Sequence, residues 1–131
     1  MTLIDWSARI NAIADALSVP DGGFSVNPND GSDVRHGYAV AVHPEHERVY
    51  ERSVTSADIH EYISRAADAL SLPGRVLGGW RDPASGRVYL DVSIVTADLS
   101  DAMALAVQTG QLAIFDFAAM ASIPVPATFV A

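Results

Sequence analysis

Gly78-Gly79-Trp80-Arg81-Asp82-Pro83-Ala84-Ser85-Gly86-Arg87-Val88-Tyr89-Leu90-Asp91-Val92-Ser93-Ile94 is the stretch that decides the fold. Its middle, Asp82 to Gly86, is a turn. Pro pre-sets φ, Asp and Ser bond to their own backbone, and Gly accepts a left-handed φ. Beyond the turn, Val88, Leu90, Val92 and Ile94 alternate with Tyr89, Asp91 and Ser93. Strict period-two alternation marks a strand with one buried face and one open face. Val76, Gly78 and Trp80 supply the preceding strand, so the stretch reads as a β-hairpin. Its open face is expected to carry Asp91, Ser93 and Tyr89.

The same grammar occurs earlier in the chain. Gly22-Gly23-Phe24 leads to Asn27-Pro28-Asn29-Asp30-Gly31, then to Tyr38, Val40 and Val42. Each hairpin feeds a helix: Ser53 to Ile59 opens one, and Ser93 to Leu99 opens the other. The likeness has two readings. One is a ββα duplication spanning 22–71 and 77–110. The other is that turns and helix caps draw on the same residues everywhere. The spacings disagree, since Gly31 to Tyr38 is longer than Gly86 to Tyr89 and the first copy carries extra residues around His43–Arg52.

Helices are expected at three places. Thr2 and Asp5 form a capping box before Leu3, Trp6, Ile10, Ile13 and Leu17, and Pro20-Asp21-Gly22 ends that helix. Thr55 and Asp58 form a second box before Ile59, Tyr62, Ile63, Ala66 and Leu70, with Pro73-Gly74 as the stop. Asp98 or Ser100 caps the third, whose Leu99, Met103, Ala106 and Val107 face inward and which Gly110 terminates. Val49 to Val54 is either a short edge strand or an extended linker. Gln111 to Phe117 reads as a central strand, being apolar on both faces. Ile123-Pro124-Val125-Pro126 is an edge strand or an arm, because proline cannot complete a ladder. The order is α-ββ-α-ββ-α-β. It predicts one α+β domain over 1–131, a two-layer arrangement of a mostly antiparallel sheet with helices on one face.

Composition narrows the function classes. Half of the 131 residues are hydrophobic, enough for a core without disulfides. There is no cysteine, which excludes thiolate zinc sites, Fe–S clusters and thiol catalysis. The net charge is −8 and every basic residue is arginine. That balance argues against direct nucleic-acid binding and against a polybasic membrane anchor. No apolar run is long enough to span a bilayer, and Met1–Trp6 lacks the basic start of a secretory signal. A cytoplasmic protein without membrane insertion is expected.

Three constellations could carry chemistry. His43-Pro44-Glu45-His46-Glu47, with His60 nearby, offers imidazoles and two carboxylates for a divalent ion, although the spacing is not that of a helical H-E-x-x-H site. The same residues also suit a solvated turn. Asp91 and Asp116 would be a carboxylate pair if neighbouring strands held them close. Asp98 and Asp101 are explained by the helix macrodipole and Asp82 by its turn. Trp80-Arg81 at the hairpin tip joins two favoured anchor types of protein interfaces, or else Trp80 is core. No phosphate loop is present, and neither Ser53 nor Ser93 has the context of a nucleophilic serine.

The segments Val76-Leu77-Gly78-Gly79-Trp80-Arg81-Asp82-Pro83, Gly86 to Val92 and Gly110-Gln111-Leu112-Ala113-Ile114-Phe115-Asp116 resemble a group of small proteins of actinobacteria, their phages and plasmids. The resemblance covers roughly residues 74–117, and Gly22–Pro44 more weakly. It implies an accessory protein of a phage or mobile element and brings no catalytic residues with it. The leading expectation is a non-enzymatic interaction module that binds and modulates a host protein through Trp80, Arg81, Asp82, Tyr89 and Asp91, without a cofactor. The alternatives are a small enzyme or ligand-binding domain built on the acids or histidines above, and a homodimer joined through Ile123–Val130.

Overall fold

The computed structural model describes residues 7–126. In chain order they form α1 (Ser7–Ala16), β1 (Gly23–Val26), β2 (Tyr38–Val40), a 3-10 turn (Pro44–His46), β3 (Arg48–Tyr50), α2 (Ser56–Arg65), α3 (Ala67–Leu70), β4 (Arg75–Arg81), β5 (Val88–Thr96), α4 (Leu99–Thr109), β6 (Ala113–Asp116) and β7 (Ala121–Pro124). This is an α+β fold on one antiparallel sheet. The order is richer than the sequence pattern implied. Val49 lies in a strand, the second helical stripe breaks at Ala66, and Ile123-Pro124 closes a final hairpin. The Thr2/Asp5 capping box, Leu3, Trp6 and residues 127–131 lie outside the described residues.

The sheet runs β1-β4-β5-β2-β6-β7, with β3 also on β5. Hairpin β4–β5 is its spine, in register from Arg75↔Ile94 to Arg81↔Val88. On its other edge, β5 pairs with β3 at Val88–Leu90 and with β2 at Ile94–Thr96. Between those two pairings residues 41–47 leave the sheet, so among the described strands none pairs with Asp91–Ser93 on that edge. β6 sits one strand in from the edge rather than at the centre. Its predicted two-faced burial fails at Leu112, which is 86% exposed just before the strand.

The expected first hairpin does not form: β1 pairs with β4, β2 pairs with β5 and β6, and across the turn Val26 meets only Asp33, in an isolated bridge. The turns at Asn27–Gly31 and Asp82–Gly86 are nevertheless built alike. In each, the first side chain accepts from the N–H two residues on: Asn27 from Asn29 and Asp82 from Ala84, both at 2.9 Å. In each, the first carbonyl accepts from the glycine N–H at 2.8 Å. Both glycines hold a left-handed φ, 74° at Gly31 and 76° at Gly86, which a side chain would strain. The helix entries differ. Asp58 is the third residue of its helix, closing a capping box with Thr55, whereas Asp98 is itself the N-cap and accepts from the Asp101 N–H. Matching letters therefore do different work at the two helix starts.

Leu77, Val88, Leu90 and Val92 point from the spine into a cluster with Ile10, Ile13 and Leu17 of α1 and Ile59, Tyr62 and Ile63 of α2. Val40 and Ile114 meet Ala102, Met103 and Ala106 of α4 in a second cluster. Val88, Leu90 and Val92 are fully buried, and each such side chain contributes about 1.5–3 kcal/mol. The inward stripe of α4 is narrower than its pattern suggested, since Leu99 and Val107 are 43% and 47% exposed. The helices do not form one simple layer: α1 packs into the first cluster but also borders the hollow on the other side of the sheet.

Candidate binding trough

The sheet curls, and the face opposite the core becomes a half-open trough of about 1280 Å³. Which residues floor it follows from register. Directly paired residues share a face, so Trp80 with Tyr89, Gly78 with Asp91 and Val76 with Ser93 all point away from Leu77, Leu90 and Val92. Ala39 of β2 and Phe115 of β6 carry the same face across the sheet by their mutual pairing. The face expected to be open to solvent is thus partly enclosed, and Ser93 on it is buried.

Asp91 is the chemically unusual residue of this floor. Its carboxylate accepts a hydrogen bond from Ser93 Oγ at 3.2 Å. A Cβ on Gly78 would lie 2.8 Å from Asp91 Oδ1, so glycine at this position leaves the space the carboxylate occupies. Burial pushes the Asp91 carboxyl above the usual carboxylate range; the Ser93 bond opposes this and the nearby Glu47 charge adds to it. Glu47 lines the same trough. Arg9, also in the lining, is paired with Asp33 at 2.9 Å, and its Nε is buried with no hydrogen-bond partner among the described residues.

In a lining that also includes Phe24, Phe115 and Phe117, Trp80 and Tyr89 form a stacked pair. Their rings stack with centroids 6.0 Å apart and planes 27° apart. Trp80 is 42% exposed, so it is not core. Its Nε1–H donates to Asp21 Oδ1 at 2.7 Å, fixing the indole against the turn that follows α1. Arg81 and Asp82 make hydrogen bonds within the chain. Arg81 donates to the Ser18 carbonyl at 2.9 Å and so satisfies an orphan acceptor beyond the end of α1. Asp82 accepts from the Ala84 N–H and from Ser85 Oγ within its own turn, which holds its carboxyl below the usual range.

The other constellations do not assemble. Asp91 and Asp116 are separated by β2, and Asp116 pairs with Tyr38 on the face opposite the trough, where it accepts from the Ala118 and Ala119 N–H groups. The His43 and His46 rings lie 6.0 Å apart, but His43 Nε2 already accepts from Arg75 Nε at 3.2 Å and its Nδ1 faces Glu45 at 3.5 Å. His60 is exposed on α2. Among the described residues no group of three or more His, Asp or Glu side chains could hold a metal ion. No described helix is long and apolar enough to cross a membrane.

Sequence reasoning missed Gly78, Glu47, Phe115 and Arg9 as trough residues. Gly78 could have been found, because a glycine inside a strand often marks a close approach. The other three depend on sheet curl and on the 41–47 excursion, which local pattern does not encode. What these elements define is an α+β protein with a half-enclosed concave sheet face, an aromatic pair and a half-buried carboxylate. In comparisons with known proteins, the chain matches no family model, no curated protein and no solved structure.

Proposed function

We propose that the protein is a non-enzymatic binding module, and that the concave sheet face is where it grips a segment of another protein. The observation that carries this reading is the exposed Trp80 stacked on Tyr89 beside a trough of about 1280 Å³. Aromatic anchors beside a desolvated hollow dominate the binding energy of protein interfaces. The volume also exceeds the roughly 300–1,000 Å³ of small-molecule pockets. With a net charge of −8, long-range steering favours a basic partner. The resemblance at residues 76–83, 86–92 and 110–116 supports an accessory role for a phage or mobile element, with the partner a protein of the bacterial host.

The test compares capture by the wild-type chain and by Trp80→Ala from lysate of the encoding host. A stoichiometric partner retained by the wild type, lost in Trp80→Ala and released by salt supports the reading. A partner held equally by both chains, or no enriched protein at all, refutes it. The variant should stay folded, because a partly exposed indole contributes one hydrogen bond and limited burial.

A further inference from the structure

We propose that the Asp91 end of the trough is a subsite for a guanidinium group, so that the partner enters with an arginine carried on an extended segment. This rests on the trough being the recognition surface and names what that surface selects.

Three features of the floor point the same way. First, Asp91 and Glu47 both line the trough, and neither takes part in any ion pair formed among the described residues. All eight arginines of the chain fall within that range. A carboxylate set low among its neighbours normally has a cationic partner, because desolvated charge is costly alone. Among the described residues the side-chain donor bonded to it is the neutral Ser93 hydroxyl at 3.2 Å. Burial and the Glu47 charge both raise the Asp91 carboxyl, and a cation placed between the two would relieve both effects.

Second, the glycine at position 78 gives the Asp91 carboxylate its room on the trough floor. A Cβ there would meet Asp91 Oδ1 at 2.8 Å. Third, the aromatic pair lies where an arginine stem would run. Trp80↔Tyr89 and Gly78↔Asp91 are register pairs two residues apart, which is about 7 Å along the strands. That span is comparable to an extended arginine side chain, whose methylenes can cover an aromatic face while the planar head pairs with a carboxylate. Lysine offers a point charge without the planar fork, so it should bind more weakly.

The experiment titrates the isotope-labelled full chain with an acetylated, amidated peptide, Ser-Val-Arg-Val-Ser, and with versions in which lysine or neutral citrulline replaces the arginine. The readout is amide and indole shifts in NMR spectra. The arginine peptide is expected to move Gly78, Ser93 and the Trp80 indole, and the citrulline peptide to bind at least about tenfold more weakly. Asp91→Asn should lose that preference while still binding the citrulline peptide. Equal binding of arginine and citrulline peptides, undiminished arginine preference in Asp91→Asn, or shifts confined to residues outside the trough would overturn the subsite. If both peptides bind equally and Trp80→Ala removes both, the trough survives as a binding surface and only the guanidinium subsite falls. If no peptide moves trough resonances and the captured partner also binds Trp80→Ala, both proposals fall.

Discussion

Adjacent glycines in β4 should answer the same substitution with different costs in stability. Gly79 faces the core. A Cβ there would run into the Phe24 ring and come within 2.9 Å of Leu90 Cδ2. Leu90 is fully buried and cannot retreat without moving its neighbours. Overpacking of this kind costs about 1–3 kcal/mol, against which removing a strand glycine returns about 0.5–1 kcal/mol. Gly79→Ala should therefore destabilise by up to about 2.5 kcal/mol. Gly78 faces the trough, and its new Cβ would meet only the end of the Asp91 side chain within hard-contact range, at 2.8 Å. The contact is with the far end of a flexible side chain and not with backbone, so Gly78→Ala should stay within about 0.5 kcal/mol of the wild type. In a domain of this size each kcal/mol moves Tm by roughly 3–5 °C, so the two melting points should differ by several degrees. Urea unfolding followed by circular dichroism, with unchanged slope, gives the free energies. The binding consequence runs the other way: Gly78→Ala should lose partner and arginine-peptide affinity, and Gly79→Ala should keep it. Equal costs, or a costlier Gly78→Ala, would refute the assignment of faces.

Other outcomes follow from single contacts. Asp91→Asn should be more stable than the wild type at neutral pH. The raised carboxyl makes the folded state hold its proton more tightly than the unfolded state, so wild-type stability falls as pH climbs from the ordinary carboxylate range through the raised value. Melting curves between about pH 4 and pH 8 should converge at the acid end, and a wild type more stable throughout would reject this. Asp58 has the opposite sign: the Arg52 guanidinium, bonded at 2.6 and 3.0 Å, and the Thr55 N–H hold it low. Its contribution is present above its ordinary value of 3.8 and is lost as pH falls further, so Asp58→Asn should flatten the acid limb of the stability profile. Thr55→Ala removes the capping box and should cost about 1 kcal/mol by denaturant unfolding. Zinc should leave Tm unchanged, and a metal-dependent rise would show that His43 can abandon its Arg75 partner.

Much of the spine was legible because its signals are local. The Asp82–Gly86 turn, the alternation of Val88 to Val92, the Thr55/Asp58 box and the Gly110 cap each depend on a few consecutive residues. What escaped depends on distance. Leu112 reads as apolar strand yet stands exposed, because β6 lies near the sheet edge. Leu99 and Val107 fit a helical period yet fall outside the narrow contact that α4 makes. Asp91 and Asp116 looked like neighbours because chain order suggested adjacent strands, but β2 returns from far upstream to lie between them. The candidate site was half legible: Trp80, Tyr89 and Asp91 were visible as residues, while the curl that gathers them was not.

That curl changes what Asp91 means. On a flat, solvated sheet an aspartate alternating with valines is an ordinary outward residue, and its charge costs the fold little. At the floor of a trough the same carboxylate is desolvated, sits near Glu47 and is bonded to one neutral hydroxyl. The raised carboxyl predicts that asparagine would suit the fold alone better at neutral pH. Residues that cost stability where a neutral isostere would fit are the ones best explained by function. Gly78 makes the same point from the opposite strand, since it gives up packing and strand propensity to leave that carboxylate room. The decisive measurement is therefore the sign of two effects in one variant. If Asp91→Asn both raises Tm and removes the preference for arginine over citrulline, the carboxylate is held for a ligand. If it lowers Tm, the residue belongs to the scaffold and the trough must recognise its partner by its aromatic pair alone.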